Sequence, residues 1–172
     1  VLIAGGKGER LRPLTADRPK PMVEVGGQPI MAHQIDWLIH EGVNRFVVSC
    51  GAMHEVIQSY FGDGHALGVH ITYAIEDSPL GRGGGLRQGC RQIPNSEELF
   101  IATNADILSS QALTPIVAQH RQDTAILFDN MIDRLGWSES VTIPNGERGV
   151  SSLVRTAALA REFGKDVLYS DL

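Results

Sequence analysis

Residues 1–15 read VLIAGGKGERLRPLT, and residues 18–22 read RPKPM. The apolar run at residues 1–4 is short and partly β-branched, as a buried strand is, and it breaks directly into three glycines within four positions. Glycine lacks a Cβ, so such a turn can approach an anion closely and arrange backbone N–H groups around phosphate oxygens. The stretch therefore predicts a buried strand that is followed by a phosphate-binding turn.

Basic side chains follow this turn at Arg10, Arg12 and Lys20. Guanidinium forks and a mobile ammonium suit a triphosphate that is held and then separated into pyrophosphate and a nucleotidyl unit. Pro19 and Pro21 flank Lys20 and restrict its backbone, which lowers the entropy lost when the lysine is positioned. The pattern lacks both G-x-x-x-x-G-K-[ST] and the third glycine of G-x-G-x-x-G, so it indicates neither a P-loop ATPase nor a Rossmann dehydrogenase.

Strand-like apolar runs alternate with helical patterns further along the chain. Strands are predicted at residues 45–50, 69–74 and 99–104, and helices at 30–40, 54–61 and 86–93. This alternation predicts an α/β fold, a Rossmann-like mixed and mostly parallel sheet flanked by helices, in a single domain. Ligands of such sheets bind at the carboxyl ends of the strands, where the glycine turn and the turn containing Asp106 are both expected.

A carboxylate directly after a buried strand is a candidate metal ligand. Asp106 has this position, and Mg²⁺ is commonly held by one or two carboxylates together with substrate phosphates. An aspartate at a strand end also serves as a turn or helix cap, so the position alone leaves both interpretations open. Asp166 and Asp171 are candidates for a second metal ligand only in that they supply carboxylates, and a solvated terminus is the expected environment of both.

Composition and charge bound the class of partner. The 172 residues are 42% hydrophobic and 20% charged, which suits one compact domain with a substantial core. A net charge of −5 and a pI near 5.6 argue against nucleic-acid or membrane-surface binding, while a local basic pocket for phosphates remains compatible with them.

Cysteine usage and hydropathy indicate the compartment. Cys50 and Cys90 show no C-x-x-C spacing, so neither a disulfide framework nor a zinc site is predicted. The six histidines are scattered without a metal-ligand spacing. Because no long apolar span or signal peptide is present, the sequence predicts no membrane association and a cytoplasmic location.

Residues 4–15 followed by RPKPM closely resemble the signature of the sugar-phosphate nucleotidyltransferases, the enzymes that make nucleotide sugars. Within this family the chain is most similar to the bacterial mannose-1-phosphate guanylyltransferase-like branch. The resemblance continues through VGGQPI at residues 25–30, YFGDG at 60–64, residues 73–85 and TNAD at 103–106. Several motifs in the family's order make a chance similarity improbable.

The resemblance implies a set of site residues. It assigns Arg10 and Lys20 to catalysis and Asp106 to Mg²⁺, although Ala105 stands where the family has glycine. In the family, the loop at residues 76–86 contacts the base and ribose, and Glu76 and Gly81 match positions that read the base. The implied nucleotide-binding residues are Ala4, Gly5, Gly6, Gly8, Glu76 and Gly81. Arg82, in the same loop, is interpreted equally as a phosphate contact or as a solvated arginine.

The implied reaction is attack by a sugar 1-phosphate on the α-phosphorus of a nucleoside triphosphate, with release of pyrophosphate. GTP and mannose 1-phosphate are the expected substrates. A uridylyl-, thymidylyl- or cytidylyltransferase of the same family is the close alternative. A regulatory protein that binds nucleotide sugars without catalysis is another. The family also suggests a homo-oligomer, which no heptad or exposed apolar stripe independently supports.

The resemblance ends near residue 125. The F-x-E-K-P segment and second metal-binding aspartate of the family are absent from residues 128–172. We therefore expect residues 1–172 to form one nucleotidyltransferase domain, with residues 1–125 as the nucleotide-binding core. Residues 126–172 would be a divergent or incomplete sugar-binding part, with helices predicted at 129–137 and 156–164.

Overall fold

The computed structural model describes residues 1–6, 8–94, 99–120 and 166–169, with Arg82 and residues 166–169 described by their backbone alone. A five-stranded sheet and a two-stranded hairpin lie within these residues. The strands are β1 Leu2–Ile3, β2 Glu24–Val25, β3 Gln28–Pro29, β4 Arg45–Cys50, β5 His70–Ile75, β6 Leu99–Asn104 and β7 Asp166–Tyr169.

The five-stranded sheet has the order β5-β4-β1-β6-β7, and each of its neighbouring pairs is parallel. Ile3 pairs with Ser49 on one side and with Asn104 on the other, so these strands end in register. The hairpin β2–β3 is antiparallel and lies outside this sheet. The predicted α/β class with a mostly parallel sheet is confirmed.

Helices connect the strands as parallel pairing requires. They are α1 Ile30–His40, α2 His54–Phe61, α3 Gly81–Cys90 and α4 at residues 113–120. On α1, Met31, Ile35 and Leu38 are buried at helical spacing. They join Leu2 and Val48 of the sheet in the main hydrophobic core. The helices predicted at 30–40 and 54–61 are confirmed.

The helix predicted at residues 86–93 is wrong in its start, because α3 begins at Gly81. Three glycines expected in a binding loop, at residues 83–85, therefore lie in its first turns. Glycine is a poor helix former, so packing decides here. A Cβ on Gly85 would lie 2.5 Å from Glu76 Oε1, and one on Gly89 would lie 2.7 Å from Val1 Cγ1. The glycines let α3 approach the sheet.

Strand β7 is absent from the sequence-based prediction, which placed Asp166 in a solvated terminus. Asp166 pairs in register with Leu99, the first residue of β6. Asp106 lies two residues beyond the last residue of β6, and about 17 Å of strand separates that end of β6 from Leu99. The start of β7, where Asp166 lies, is therefore at the opposite edge of the sheet from Asp106. The predicted helices at 129–137 and 156–164, the boundary at residue 125 and Asp171 lie outside the described residues.

Among the described residues, no helix is both long and apolar enough to cross a membrane.

Candidate active site

Four parallel strands end at one edge of the sheet, and the segments that follow them form the candidate site. Gly5 follows β1, Gly51 follows β4, Glu76 follows β5 and Asp106 lies two residues after β6. In the strand order, the glycine turn lies between Glu76 on one side and Asp106 on the other. Strands are about 4.8 Å apart, so the edge from β5 to β6 spans about 14 Å. A nucleoside triphosphate is of comparable length.

The glycine turn combines a fixed start with an open tip. Ala4 is buried and its N–H donates to the Ser49 carbonyl at 2.7 Å, so this N–H is unavailable to a phosphate. Gly6 is exposed, and a Cβ placed on it would meet nothing within 4 Å. At the end of the turn, Gly8 has a φ of +62° and accepts a hydrogen bond from Thr15 Oγ1 at 2.8 Å. Thr15 is buried and thereby ties the end of the turn to the body of the protein.

Gly8 also permits a close contact with the segment that carries Lys20. A Cβ on Gly8 would lie 3.0 Å from Thr15 Cγ2 and 3.3 Å from Lys20 Cβ.

We expect Gly8→Ala to lower the free energy of unfolding by about 1–3 kcal/mol, because left-handed backbone strain and crowding act together. Gly6→Ala is the matched control, with an expected change below about 0.5 kcal/mol. Urea denaturation of both variants measures the difference; equal stabilities would contradict this account of Gly8.

Lys20 is the first residue of a short 3₁₀ turn, Lys20–Met22, and the prolines on both sides of it are buried. Pro19, Pro21 and Met22 anchor the turn, while 42% of the Lys20 side chain is exposed. Its Nζ forms an ion pair with the Asp106 carboxylate, whose side chain is 21% exposed. The structure therefore joins the predicted catalytic lysine and the predicted metal ligand, which are far apart in sequence, in a pair that solvent reaches.

Arg10 and Arg12, which follow the glycine turn along the chain, are both exposed. Arg10 lies in the 3₁₀ turn Glu9–Leu11 that begins directly after Gly8. Within the described part of the chain, neither guanidinium has an ion-pair partner. Both are thus available to an anion, but the structure does not bring them into contact with Lys20 or Asp106.

Glu76 lies at the opposite end of the strand edge and reaches over the end of β4. Its Oε2 accepts a hydrogen bond from the Leu80 N–H at 3.1 Å, and its Oε1 accepts one from Ser49 Oγ at 3.4 Å. A Cβ on Gly5 would lie 3.0 Å from Glu76 Oε1, so the carboxylate sits beside the glycine turn. Glu76 and Gly5, both predicted to bind nucleotide, are therefore in the same place. Gly81, which has a φ of +69°, directly follows Leu80 and begins α3.

Sequence reasoning missed Ser49 and Thr15 as structural parts of this site. Ser49 is a fully buried polar residue inside the strand run RFVVSC, and a polar position in such a run is the signal that identifies it. Cys50, the next residue, is not a nucleophile. Burial, followed by the nearby Glu76 carboxylate, raises the pKa of its thiol to about 11, so the thiol stays protonated at neutral pH.

The residues present fit a magnesium ion that arrives with its substrate. Asp106 offers one carboxylate at the site, and the described residues contain no group of three or more His, Cys, Asp or Glu side chains that could hold a metal. Mg²⁺ is commonly bound by one or two carboxylates plus substrate phosphates. Among the described residues, the donor set therefore suits a metal shared with a triphosphate.

Comparison with known proteins identifies the class. The family profile described as "Nucleotidyl transferase" matches residues 1–134, and the chain therefore belongs to the nucleotidyl transferase family. The resemblance that the sequence motifs indicated is confirmed.

Relatives include enzymes for different nucleotides. The chain is 36% identical over 125 residues to a mannose-1-phosphate guanylyltransferase of Mycobacterium tuberculosis, which covers 73% of this chain and 34% of the relative. It is 36% identical over 140 residues to the UTP–glucose-1-phosphate uridylyltransferase AglF of Haloferax volcanii, covering 81% of this chain and 56% of the relative. The first of these agrees with the predicted mannose-1-phosphate guanylyltransferase-like branch.

A solved structure of HddC from Yersinia pseudotuberculosis, in complex with GMP-PN, has the same fold. The TM-score is 0.61 at 28% sequence identity, and the match covers 69% of this chain and 52% of HddC. The chain thus spans less than two thirds of the length of each of these proteins.

Proposed function

We propose that this chain carries the nucleotidyl-transfer site of a sugar-1-phosphate nucleotidyltransferase, with GTP and mannose 1-phosphate, or a similar sugar phosphate, as substrates. The observation that carries the proposal is the Lys20–Asp106 ion pair beside the glycine turn. It combines a cation for phosphate, a carboxylate for a divalent cation and a turn that admits a close ligand at the carboxyl edge of a parallel sheet.

The roles of the residues follow from their positions. Gly6 leaves room for the triphosphate, while Gly5 and Gly8 let Glu76 and the Lys20 segment lie close to the turn. Arg10 and Lys20 hold the triphosphate by charge. Lys20 stabilises the negative charge that develops on the α-phosphate and the departing pyrophosphate. Asp106 would hold Mg²⁺, which when bound neutralises charge on the phosphates. The attacking sugar phosphate is already ionised at neutral pH, so no protein base is needed. The chemistry then depends on positioning and charge.

Glu76 supports guanine as the base. An ionised carboxylate only accepts hydrogen bonds, and it has about four lone-pair sites. Two of these are used by Leu80 N–H and Ser49 Oγ. The others match the adjacent N1–H and N2–H donors of guanine. Uracil offers a single N–H between two carbonyl acceptors, which a carboxylate would repel. The guanylyltransferase from M. tuberculosis and the HddC complex with GMP-PN agree with this choice.

The direct test is pyrophosphate release with Mg²⁺, using each common nucleoside triphosphate against a panel of sugar 1-phosphates. Release that requires GTP and one sugar phosphate is the expected result. Release with UTP instead would favour the activity named for the Haloferax relative. Tight triphosphate binding without release from any pair would overturn the transferase proposal and favour a sensor of nucleotides or nucleotide sugars.

Replacing Glu76 tests the base assignment. Glu76→Gln turns one acceptor into an N–H donor, so we expect the ratio of kcat/KM for GTP to that for UTP to fall by about 30- to 100-fold. The fall should come mainly from GTP. Glu55→Gln is the control, because Glu55 is an exposed carboxylate on α2. An unchanged ratio in an active Glu76→Gln enzyme would remove Glu76 from base recognition and leave the transferase proposal standing.

A further inference from the structure

Two glutamine amides, one on a fully buried residue and one on a half-buried residue, lie directly behind the two functional carboxylates. Gln34 is on α1 and fully buried; its Nε2 donates to the Asn104 carbonyl at 2.8 Å, two residues before Asp106. Gln88 is on α3, and its Nε2 donates to the Ile75 carbonyl at 2.7 Å, one residue before Glu76. Each helix therefore reaches the end of a strand through one amide.

Each glutamine completes a clamp on a single peptide unit. The unit that joins Asn104 to Ala105 is held at its carbonyl by Gln34, and its N–H donates to Ile3 at 3.0 Å. The unit that joins Ile75 to Glu76 is held at its carbonyl by Gln88, and its N–H donates to Cys50 at 2.8 Å. Because a peptide unit is planar, fixing both of its polar groups fixes the direction in which the next residue leaves.

Packing does not explain a glutamine at either place. The Oε1 atoms of Gln34 and Gln88 are both buried, and among the described residues neither has a hydrogen-bond partner. A buried amide oxygen without a partner is destabilising, and an apolar side chain of similar size would avoid that cost. Only the donated hydrogen bonds at the strand end distinguish glutamine from such a side chain; Gln34 Nε2 makes a second one, to Thr103 Oγ1 at 3.5 Å.

We propose that Gln34 and Gln88 are positioning residues with separate tasks: Gln34 orients Asp106 toward the metal, and Gln88 orients Glu76 toward the base. The inference rests on the proposed function, since it takes the roles of both carboxylates from it. Groups that hold a metal ligand in place commonly affect metal affinity by about 10- to 100-fold when they are removed.

The test is a crossed comparison of Gln34→Met and Gln88→Met, since methionine keeps the length and unbranched shape but cannot donate. Mn²⁺ affinity in the presence of GTP is measured by electron paramagnetic resonance, and GTP and UTP dissociation constants by calorimetry. We expect Gln34→Met to lower the affinity for Mn²⁺ by about tenfold. The ratio of its GTP affinity to its UTP affinity should stay within about twofold of the wild-type ratio. Gln88→Met should lower the ratio of GTP affinity to UTP affinity by about tenfold and leave the Mn²⁺ affinity within about twofold of the wild-type value.

Effects that are equal in the two variants, exchanged between them or absent would overturn the proposal. Gln34→Glu keeps the side-chain length and, when protonated at this buried position, one O–H donor, so it should recover part of the Mn²⁺ affinity alone. Gln34→Leu and Gln88→Leu, which also cannot donate, carry the same comparison if a methionine variant does not fold. Failure of the wild-type protein to bind GTP would instead count against the proposed function, since both readouts begin from that complex.

Discussion

Lys20→Ala is expected to reduce pyrophosphate release by about 10³-fold, the size of effect seen when a group that stabilises transition-state charge is removed. The 3₁₀ turn of Lys20 is anchored by buried Pro19, Pro21 and Met22, so the fold should persist. The Lys20 ammonium contributes charge and not packing, because much of its side chain is exposed. Single-turnover kinetics with saturating GTP measure the chemical step directly.

Lys20→Ala should also increase the affinity of the nucleotide-free protein for a divalent metal. The Asp106 carboxylate is paired with Lys20 in the absence of ligands. Removing the ammonium leaves that carboxylate uncompensated, so Mn²⁺ should bind the nucleotide-free Lys20→Ala protein more tightly than the wild type. Arg91→Ala is the control for loss of a cation, because Arg91 is exposed at the far end of α3. Near-normal turnover in Lys20→Ala would sink the proposed mechanism.

Asp106→Asn is expected to lower turnover by at least about 10³-fold at a fixed Mg²⁺ concentration, since a bound metal supplies several kcal/mol of charge stabilisation. Asparagine keeps the shape of the side chain and removes only the charge. Wild-type activity should vanish with a chelator and return when Mg²⁺ is added. The residual activity of Asp106→Asn should change little with either treatment. Asp36→Asn, at an exposed carboxylate on α1, is the matched control. Activity of Asp106→Asn that saturates at the wild-type Mg²⁺ concentration would exclude Asp106 as the ligand.

The sequence predicted the sheet and most of its connections because the local patterns are strong. The run RFVVSC is apolar from Phe46 to Val48, and α1 has a clear helical period, so β4 and α1 follow from neighbouring residues. The start of α3 did not, since helix propensity opposes a run of glycines. The packing of Leu86 and Cys90 of α3 against Phe100 of β6 overrides that propensity, and it is visible only in three dimensions. Strand β7 is short and lies far along the chain from its partner β6.

The site was predictable in part for a similar reason. Gly8, Lys20 and Asp106 are marked by motifs, and parallel strands bring the segments that carry them to one edge. That Lys20 pairs with Asp106 depends on how the 3₁₀ turn packs, which no spacing specifies. Gln34 was hidden because it occupies a position on the apolar face of α1, between Met31 and Leu38. A polar side chain at such a core position is the signal to look for.

The order of strands in the sheet has a consequence for how specificity can diverge. Glu76 lies in the loop between β5 and α3, whereas Asp106 lies in the turn after β6, and β4 and β1 are between these two strands. If the proposed function is correct, one segment of the chain selects the base and other segments carry out the chemistry at the phosphates. Substitutions in the segment from β5 to α3 can exchange one nucleotide for another while the machinery around Lys20 stays constant. A family whose members are named for GTP and for UTP is what such a division of labour allows.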